Sequence, residues 1–322
     1  MAQTPVLGVE ITGWGTALPE RSITNDELIA KYDLDSSNEW IRERTGIESR
    51  HICGENENVM TLAVEAARLA IEKAGLTPPH RIDKLFLGTT TPHLTVPGTH
   101  PSVQAELHNL GYEITSSKES NTACTGFVTS LLESYRNFKV DDIESSIVIG
   151  ADTLWSITDE HDRNTAVLFA DGAGAVMLQK TDSDSGLLGW HEETDGSAVD
   201  ILYCKPGERI QMNGREVFKR AVQAMVRAGQ IALENSGVSV EQVKLAVPHQ
   251  ANTRIIESAG KRLGLSMDKM IVTLNKHGNT SSASIPLALA EALDNGYVER
   301  GDKLLLVGFG AGMTAASAVI EW

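Results

Sequence analysis

The chain has 322 residues, 41% of them hydrophobic and 22% charged, a balance that suits one sizeable α/β unit or two closely packed halves. A formal net charge of -15 argues against a nucleic-acid partner, and no run of 18 apolar residues is present to span a membrane as a helix. Three cysteines (Cys53, Cys124, Cys204) form no dense disulfide framework, and the N-terminus lacks a signal-peptide pattern, so a reducing, cytoplasmic setting is expected. CxxC and HExxH spacings are absent, so a metal site is not expected, and with no GxGxxG dinucleotide loop at Gly308–Thr314 no resident cofactor is expected.

In chain order, Met60 to Ala74 carries Leu62, Ala66, Leu69, Ala70 and Ala74 on one stripe, which predicts an amphipathic helix. Short apolar runs beside glycine predict buried strands at Lys84–Gly88, Ser146–Gly150 and Ala166–Ala170. Lys244–Val247 and Lys303–Gly308 follow the same style. Between them, Asn121–Gly126 leads into the helical pattern of Phe127, Val128, Leu131 and Leu132. Glu216 to Asn235 repeats apolar residues at helical spacing and stops at Gly237, and a further helix is expected over Ala251 to Leu263.

Strands alternating with helices predict a layered α/β fold with buried sheets. The polar, turn-rich stretch from Thr181 to Gly186 marks the join between halves 1–180 and 181–322. Asn121-Thr122 and Asn279-Thr280 open similar segments at an offset of 158, and Asp171–Val176 resembles Phe309–Thr314 at an offset of 138. A duplication of this kind would set two equivalent helix starts face to face and bring Cys124 to Asn279.

Charge is uneven along the chain. From Lys205 to Lys276 there are 12 Lys and Arg against 6 Asp and Glu, so the segment is about +6 while the remainder is about -21. Such a segment suits an acidic partner, although scattered solvated ion pairs are the commoner meaning of the pattern.

Cys124 lies among small residues before a helix, where free N–H groups and the helix dipole favour a thiolate. Taken singly, a buried inert cysteine is the commoner case. His249 follows an apolar strand at Pro248, where open sheets usually bind ligands. Asn279 stands between Gly278 and Thr280, a context that also suits a cap or an Asx-turn, and one side chain does not easily cap and catalyse together. Gly308–Thr314 allows close backbone approach and an oxyanion-binding N–H, whereas Asp171–Gly174 reads as tight strand packing. One Cys, one His and one Asn form the parts of thiol-based acyl chemistry.

These segments together resemble the β-ketoacyl-[acyl-carrier-protein] synthase III family of the thiolase-like superfamily. The resemblance runs through Glu39-Trp40-Ile41, Arg44-Thr45-Gly46-Ile47, Thr122–Phe127, Asp162-Arg163 and Asp171–Ala175. It continues through Gly214–Lys219, Pro248–Asn252, His277–Ser281 and Gly308–Gly312. It implies a duplicated five-layered α-β-α-β-α fold and a homodimer. It also implies an acyltransferase that starts fatty acid synthesis by decarboxylative condensation of an acyl-CoA with malonyl-acyl carrier protein (malonyl-ACP).

By the same resemblance Cys124 holds the acyl group, and His249 and Asn279 stabilise the enolate. The Cys124 and Ala311 N–H groups form the oxyanion hole. Trp40, Arg44 and Arg163 bind CoA, while Lys219, Arg254, Lys261 and Arg262 receive the carrier protein. Two features depart from the family pattern: the polar stretch Ser116–Ser120 before the cysteine, and a long Thr95–Pro101 loop. They leave the starter acyl group open, and with it the alternative of a pathway-specific relative that primes a polyketide or transfers acyl groups to another acceptor.

Overall fold

The computed structural model describes residues 3–322, whose elements fall into two sets. The first contains β1 (Val6–Leu7), β2 (Val9–Ala17), β3 (Ser22–Thr24), α1 (Asn25–Tyr32), α2 (Asn38–Thr45), β4 (Ser49–His51), α3 (Val59–Lys73) and β5 (His80–Gly88). It continues with α4 (His100–Asn109), β6 (Tyr112–Ser120), α5 (Gly126–Val140), β7 (Ser145–Thr153) and β8 (Asp171–Lys180). The second set contains β9 (Gly186–Thr194), β10 (Leu202–Tyr203), β11 (Gln211–Met212), α6 (Gly214–Ser236), β12 (Val243–Pro248) and α7 (Thr253–Leu263). It ends with α8 (Leu274–His277), α9 (Ser284–Asp294), β13 (Lys303–Gly310) and β14 (Thr314–Glu321).

One sheet has the order β2-β8-β7-β5-β6 and the other β1-β9-β14-β13-β12. Counted from β2 and from β9, each sheet pairs antiparallel, antiparallel, then parallel. The same three-step pattern in both sheets is the structural counterpart of the 158-residue offset. Helix α3 covers the outer face of the first sheet, and α6 with α7 covers the outer face of the second. Helices α5 and α9 lie between the sheets and share one apolar core with both. The order of layers is therefore α-β-α-β-α.

Local sequence explains this assembly. β2 buries alternate residues, and two of them are Gly13 and Gly15, where an added Cβ would lie 2.1 Å from the Ala70 carbonyl and 2.3 Å from that of Ala66. The α3 backbone thus sits directly on the strand. All nine residues of β7 are buried because helices cover both faces. The tight packing expected at Asp171–Gly174 is present: a Cβ on Gly174 would meet Pro286 of α9 at 2.8 Å.

Two sequence expectations need correction. Ala166–Ala170 is not a strand. It runs as turns whose N–H groups donate to the Asp162 and Thr165 carbonyls, and its one β-bridge, between Phe169 and Asn279, lies outside the strands. A buried apolar run has the same composition in a strand or in a coiled segment, so periodicity cannot separate them. The 138-residue similarity also fails, because Asp171–Val176 opens β8 whereas Phe309–Thr314 closes β13 and turns into β14.

Candidate active site

Cys124 lies in a single 3-10 turn, Ala123–Thr125, that leads into α5. Its counterpart is the turn Ser281–Ala283 leading into α9. The residues at equivalent positions, Ala123 and Ser281, both adopt left-handed backbone with φ of 52° and 51°. Neither is glycine, and such strain is held only where surrounding packing enforces it. The two turns touch, as the duplication predicts, and Ser281 Oγ donates to Cys124 Sγ at 3.4 Å.

Burial pushes the Cys124 thiol up to about 12, and the charge of Asp152 acts in the same direction. The Ser281 hydroxyl and the cysteine's own N–H oppose this. The thiolate preference read from the helix start is therefore only one side of a balance, and desolvation is the larger side.

His249 directly follows β12 and is buried. Its ring meets Phe309 edge-on with centroids 5.3 Å apart. Nδ1 lies 2.6 Å from Ser284 Oγ, and Nε2 is buried without a partner among the described residues. Burial drops its pKa to about 3, so the ring is neutral at ordinary pH.

Asn279 is buried beside Phe169. Its backbone N–H donates to Leu168 and its carbonyl accepts from Ala170. The side-chain Oδ1 accepts from Ser281 N–H at 3.0 Å, which orients the amide and leaves its NH2 end for the cavity. The capping and catalytic uses expected to compete thus occupy opposite ends of one side chain.

At Gly310 an added Cβ would lie 2.7 Å from the Cys124 nitrogen. Only glycine permits this approach, and it brings the turn beginning at Ala311 against the cysteine.

Cys124, His249, Asn279 and Phe309 share a cavity of about 730 Å³. Its lining includes the apolar Val217, Phe218 and Ile255, together with half-buried Trp40 and the exposed Arg44, Asn213 and Arg215. Asn252 ties the rim together. Its Oδ1 caps α7 through Arg254 N–H, and its Nδ2 donates to the Arg44 carbonyl. Trp40 carries the Arg163 guanidinium 4.8 Å from its ring centroid and that of Arg44 at 5.7 Å. With Arg163 on that face of the ring, an aromatic ligand can enter between them only if the guanidinium swings away.

Lys219, Arg254, Lys261 and Arg262 are exposed on neighbouring α6 and α7, and none forms an ion pair among the described residues. These four side chains therefore leave uncompensated charge on α6 and α7, whereas Lys205, Arg209, Arg220, Arg227 and Lys276 of the same segment are ion-paired.

Sequence reasoning missed three supporting residues. Buried Asp152 accepts hydrogen bonds from Thr89, Thr90 and Thr91 after β5 and from the N–H and hydroxyl of Ser282. Ser284 orients His249. Buried Arg50 donates to Asn25 and to the carbonyl of Val167 on the cavity wall. A polar residue ending an apolar strand was the available signal for Asp152, since a carboxylate there must be satisfied by donors.

The arrangement offers a thiol and two N–H donors at the buried end of an apolar channel, with cations at its mouth. Comparisons with known proteins agree with that content. Residues 119–196 match the family model 3-Oxoacyl-[acyl-carrier-protein (ACP)] synthase III, and residues 233–322 match the model of its C-terminal part. The chain is 42% identical over 324 residues to a β-ketoacyl-[acyl-carrier-protein] synthase III of Xanthomonas campestris pv. campestris, covering 97% of this chain and 98% of the relative. The solved 3-oxoacyl-[acyl-carrier-protein] synthase III of Aquifex aeolicus VF5 superposes with a TM-score of 0.92 at 38% identity, covering 98% and 100% of the two chains. The priming β-ketosynthase of the R1128 polyketide pathway superposes with a TM-score of 0.89 at 31% identity, covering 99% and 97%. Its thiolase-like fold and the extent of these matches establish that the chain belongs to the β-ketoacyl-[acyl-carrier-protein] synthase III family of condensing enzymes.

Proposed function

We propose that the protein condenses a starter acyl-CoA with malonyl-ACP by way of a thioester on Cys124. The Cys124 thiolate attacks the acyl-CoA carbonyl. A tetrahedral oxyanion forms against the Cys124 and Ala311 N–H groups, and collapses as the bond to the CoA sulfur breaks. CoA departs as a thiolate and recovers from solvent the proton that Cys124 released. Malonyl-ACP then enters, with its thioester carbonyl between His249 Nε2–H and the Asn279 amide. The bond to the carboxylate breaks, CO2 leaves, and the electron pair passes into an enolate held by those two donors. The enolate carbon attacks the acyl-Cys124 carbonyl, and the second oxyanion collapses to 3-ketoacyl-ACP and Cys124 thiolate.

The observation that carries this reading is that His249, with Nε2 buried and unpartnered among the described residues, and Asn279 line the same cavity as Cys124. A ring with its pKa near 3 is a neutral donor rather than an acid, and an asparagine amide cannot take a proton. Two neutral donors suit decarboxylation, where electrons must be received and no proton need be removed. Simple acyl transfer to an alcohol or amine requires a base instead.

For the starter, CoA adenine stacks on Trp40 after Arg163 leaves the ring, and Arg44 meets its phosphates. Lys219, Arg254, Lys261 and Arg262 receive the acidic carrier protein. The open edge of β6 pairs with a second copy of the chain to give a cytoplasmic homodimer. The similarity to the R1128 priming enzyme, together with the exposed Val96 in the long loop, supports a second reading in which the starter serves a polyketide.

Incubation with a panel of acyl-CoAs, followed by intact mass and then malonyl-ACP, tests the proposal. The expected results are an acyl adduct on Cys124, then CO2 and 3-ketoacyl-ACP. No adduct with any acyl-CoA overturns it, and an adduct that reacts only with a non-malonyl acceptor transfers the enzyme to the alternative.

A further inference from the structure

The thiol of Cys124 is half-buried at the cavity, and among the described residues no histidine nitrogen hydrogen-bonds to it. His249, the base that thiol enzymes ordinarily use, directs Nδ1 to Ser284 and keeps Nε2 unengaged. The side chain that does reach Sγ belongs to Ser281, at 3.4 Å, within the distance usual for a sulfur acceptor. Ser281 is buried, and its backbone is held at φ 51° although it is not glycine. That conformation sends its side chain across the pseudo-twofold contact toward the other helix start. Meanwhile its N–H engages Asn279 Oδ1. The next residue, Ser282, is fixed by Asp152 through both its N–H and its hydroxyl, so the turn cannot slide. In the other half the equivalent position is Ala123, which has no polar side chain to return. The hydroxyl is thus supplied from one side only, toward the sulfur.

We propose that Ser281 is a catalytic residue that stabilises the Cys124 thiolate by donating its hydroxyl proton in a hydrogen bond, while its N–H orients Asn279. The role rests on the condensing reaction assigned above, and it places one residue between the two halves of that site. A hydrogen bond to the charged form favours that form, so the hydroxyl offsets part of the desolvation that opposes ionisation. It also favours Cys124 as the leaving group when 3-ketoacyl-ACP is released. No proton is transferred to or from Ser281 in either step.

The test follows alkylation of free Cys124 by iodoacetamide across pH, read on the Cys124 peptide by mass spectrometry so that Cys53 and Cys204 are separated from it. The reagent needs neither acyl-CoA nor carrier protein, so the outcome stands whether or not the condensation reading survives. Ser281→Ala removes the hydroxyl, and Ser281→Gly removes it at a backbone angle that glycine adopts without strain. In both variants the alkylation rate at pH 8 should fall about tenfold. An unchanged rate at pH 8 in the folded variants overturns the proposal. Should Ser281→Ala fail to fold, the glycine variant decides alone, its fold verified by thermal unfolding.

Discussion

His249 Nδ1 and Ser284 Oγ lie 2.6 Å apart, and the same oxygen accepts the Gln250 N–H at 3.3 Å. The hydroxyl has a second lone pair as well as its proton, so it can pair with either tautomer of the ring. The enolate-donor role proposed for Nε2 requires that Ser284 donate to Nδ1 and that Nε2 carry the hydrogen. Ser284→Ala should leave Nδ1 unsatisfied and free the ring to change tautomer. CO2 release from malonyl-ACP should fall about tenfold, while Cys124 acylation measured by intact mass stays within about twofold of wild type. Equal loss in both steps would contradict the assignment.

In the proposed reaction Asn279 and Gly310 serve different halves and should separate kinetically. Asn279→Asp places an acceptor, charged when ionised, where an enolate needs a donor, so condensation should fall by about two orders of magnitude with acylation spared. Gly310→Ala inserts a methyl 2.7 Å from the Cys124 nitrogen and must shift the oxyanion turn. Both steps pass through a tetrahedral oxyanion, so acylation and condensation should fall together. Single-turnover measurement of acyl-enzyme formation, beside steady-state condensation, distinguishes the two patterns.

Much of this site was legible before the fold was known. Cys124, His249 and Asn279 each stand at the start of a helix or the end of a strand, and such places are marked by small residues and glycine. The element that failed, Ala166–Ala170, is apolar because it is buried under Asn279, and burial alone does not say how the backbone runs. Ser281 and Ser284 were not legible because their roles depend on contacts 157 and 35 residues away in sequence. A serine in a run of serines carries no mark of which one meets the sulfur.

Asp152 joins the Thr89–Thr91 segment to the Ser281–Ala283 turn, so its charge is satisfied entirely by donors from elsewhere in the chain. Asp152→Asn would turn an amide NH2 against at least one of those donors. The expected cost is about 3 kcal/mol of stability, read as a drop of several degrees in Tm. A Tm within one degree or so of wild type would show that the turn does not depend on the carboxylate.

Arg254 is exposed beside the cavity, with its guanidinium 5.8 Å from the Phe218 ring and no acidic partner among the described residues. Arg254→Glu should raise the apparent KM for malonyl-ACP about tenfold and reduce its salt dependence. Acylation by acyl-CoA should be unaffected. A proportional rise for both substrates would place Arg254 on the CoA path instead of the carrier-protein surface.

Buried histidines set the acid limit of the fold. Burial holds His249 near 3 and His277 near 4, below the ordinary 6.5. As pH falls below 6.5 the unfolded chain therefore binds two protons that the folded chain refuses, and stability is lost progressively toward pH 4. Asp171 acts with the opposite sign. Burial raises it to about 6 from 3.8, so the folded chain binds its proton first, and this offsets part of the loss over that window. The net expectation is a decline of about 3 kcal/mol between pH 6.5 and 4, measured by denaturant unfolding. His277→Gln should flatten the decline, because one of the two refused protons disappears. Asp171→Asn should steepen it, because the compensating uptake disappears. A decline unchanged by either substitution would mean that other groups govern acid unfolding.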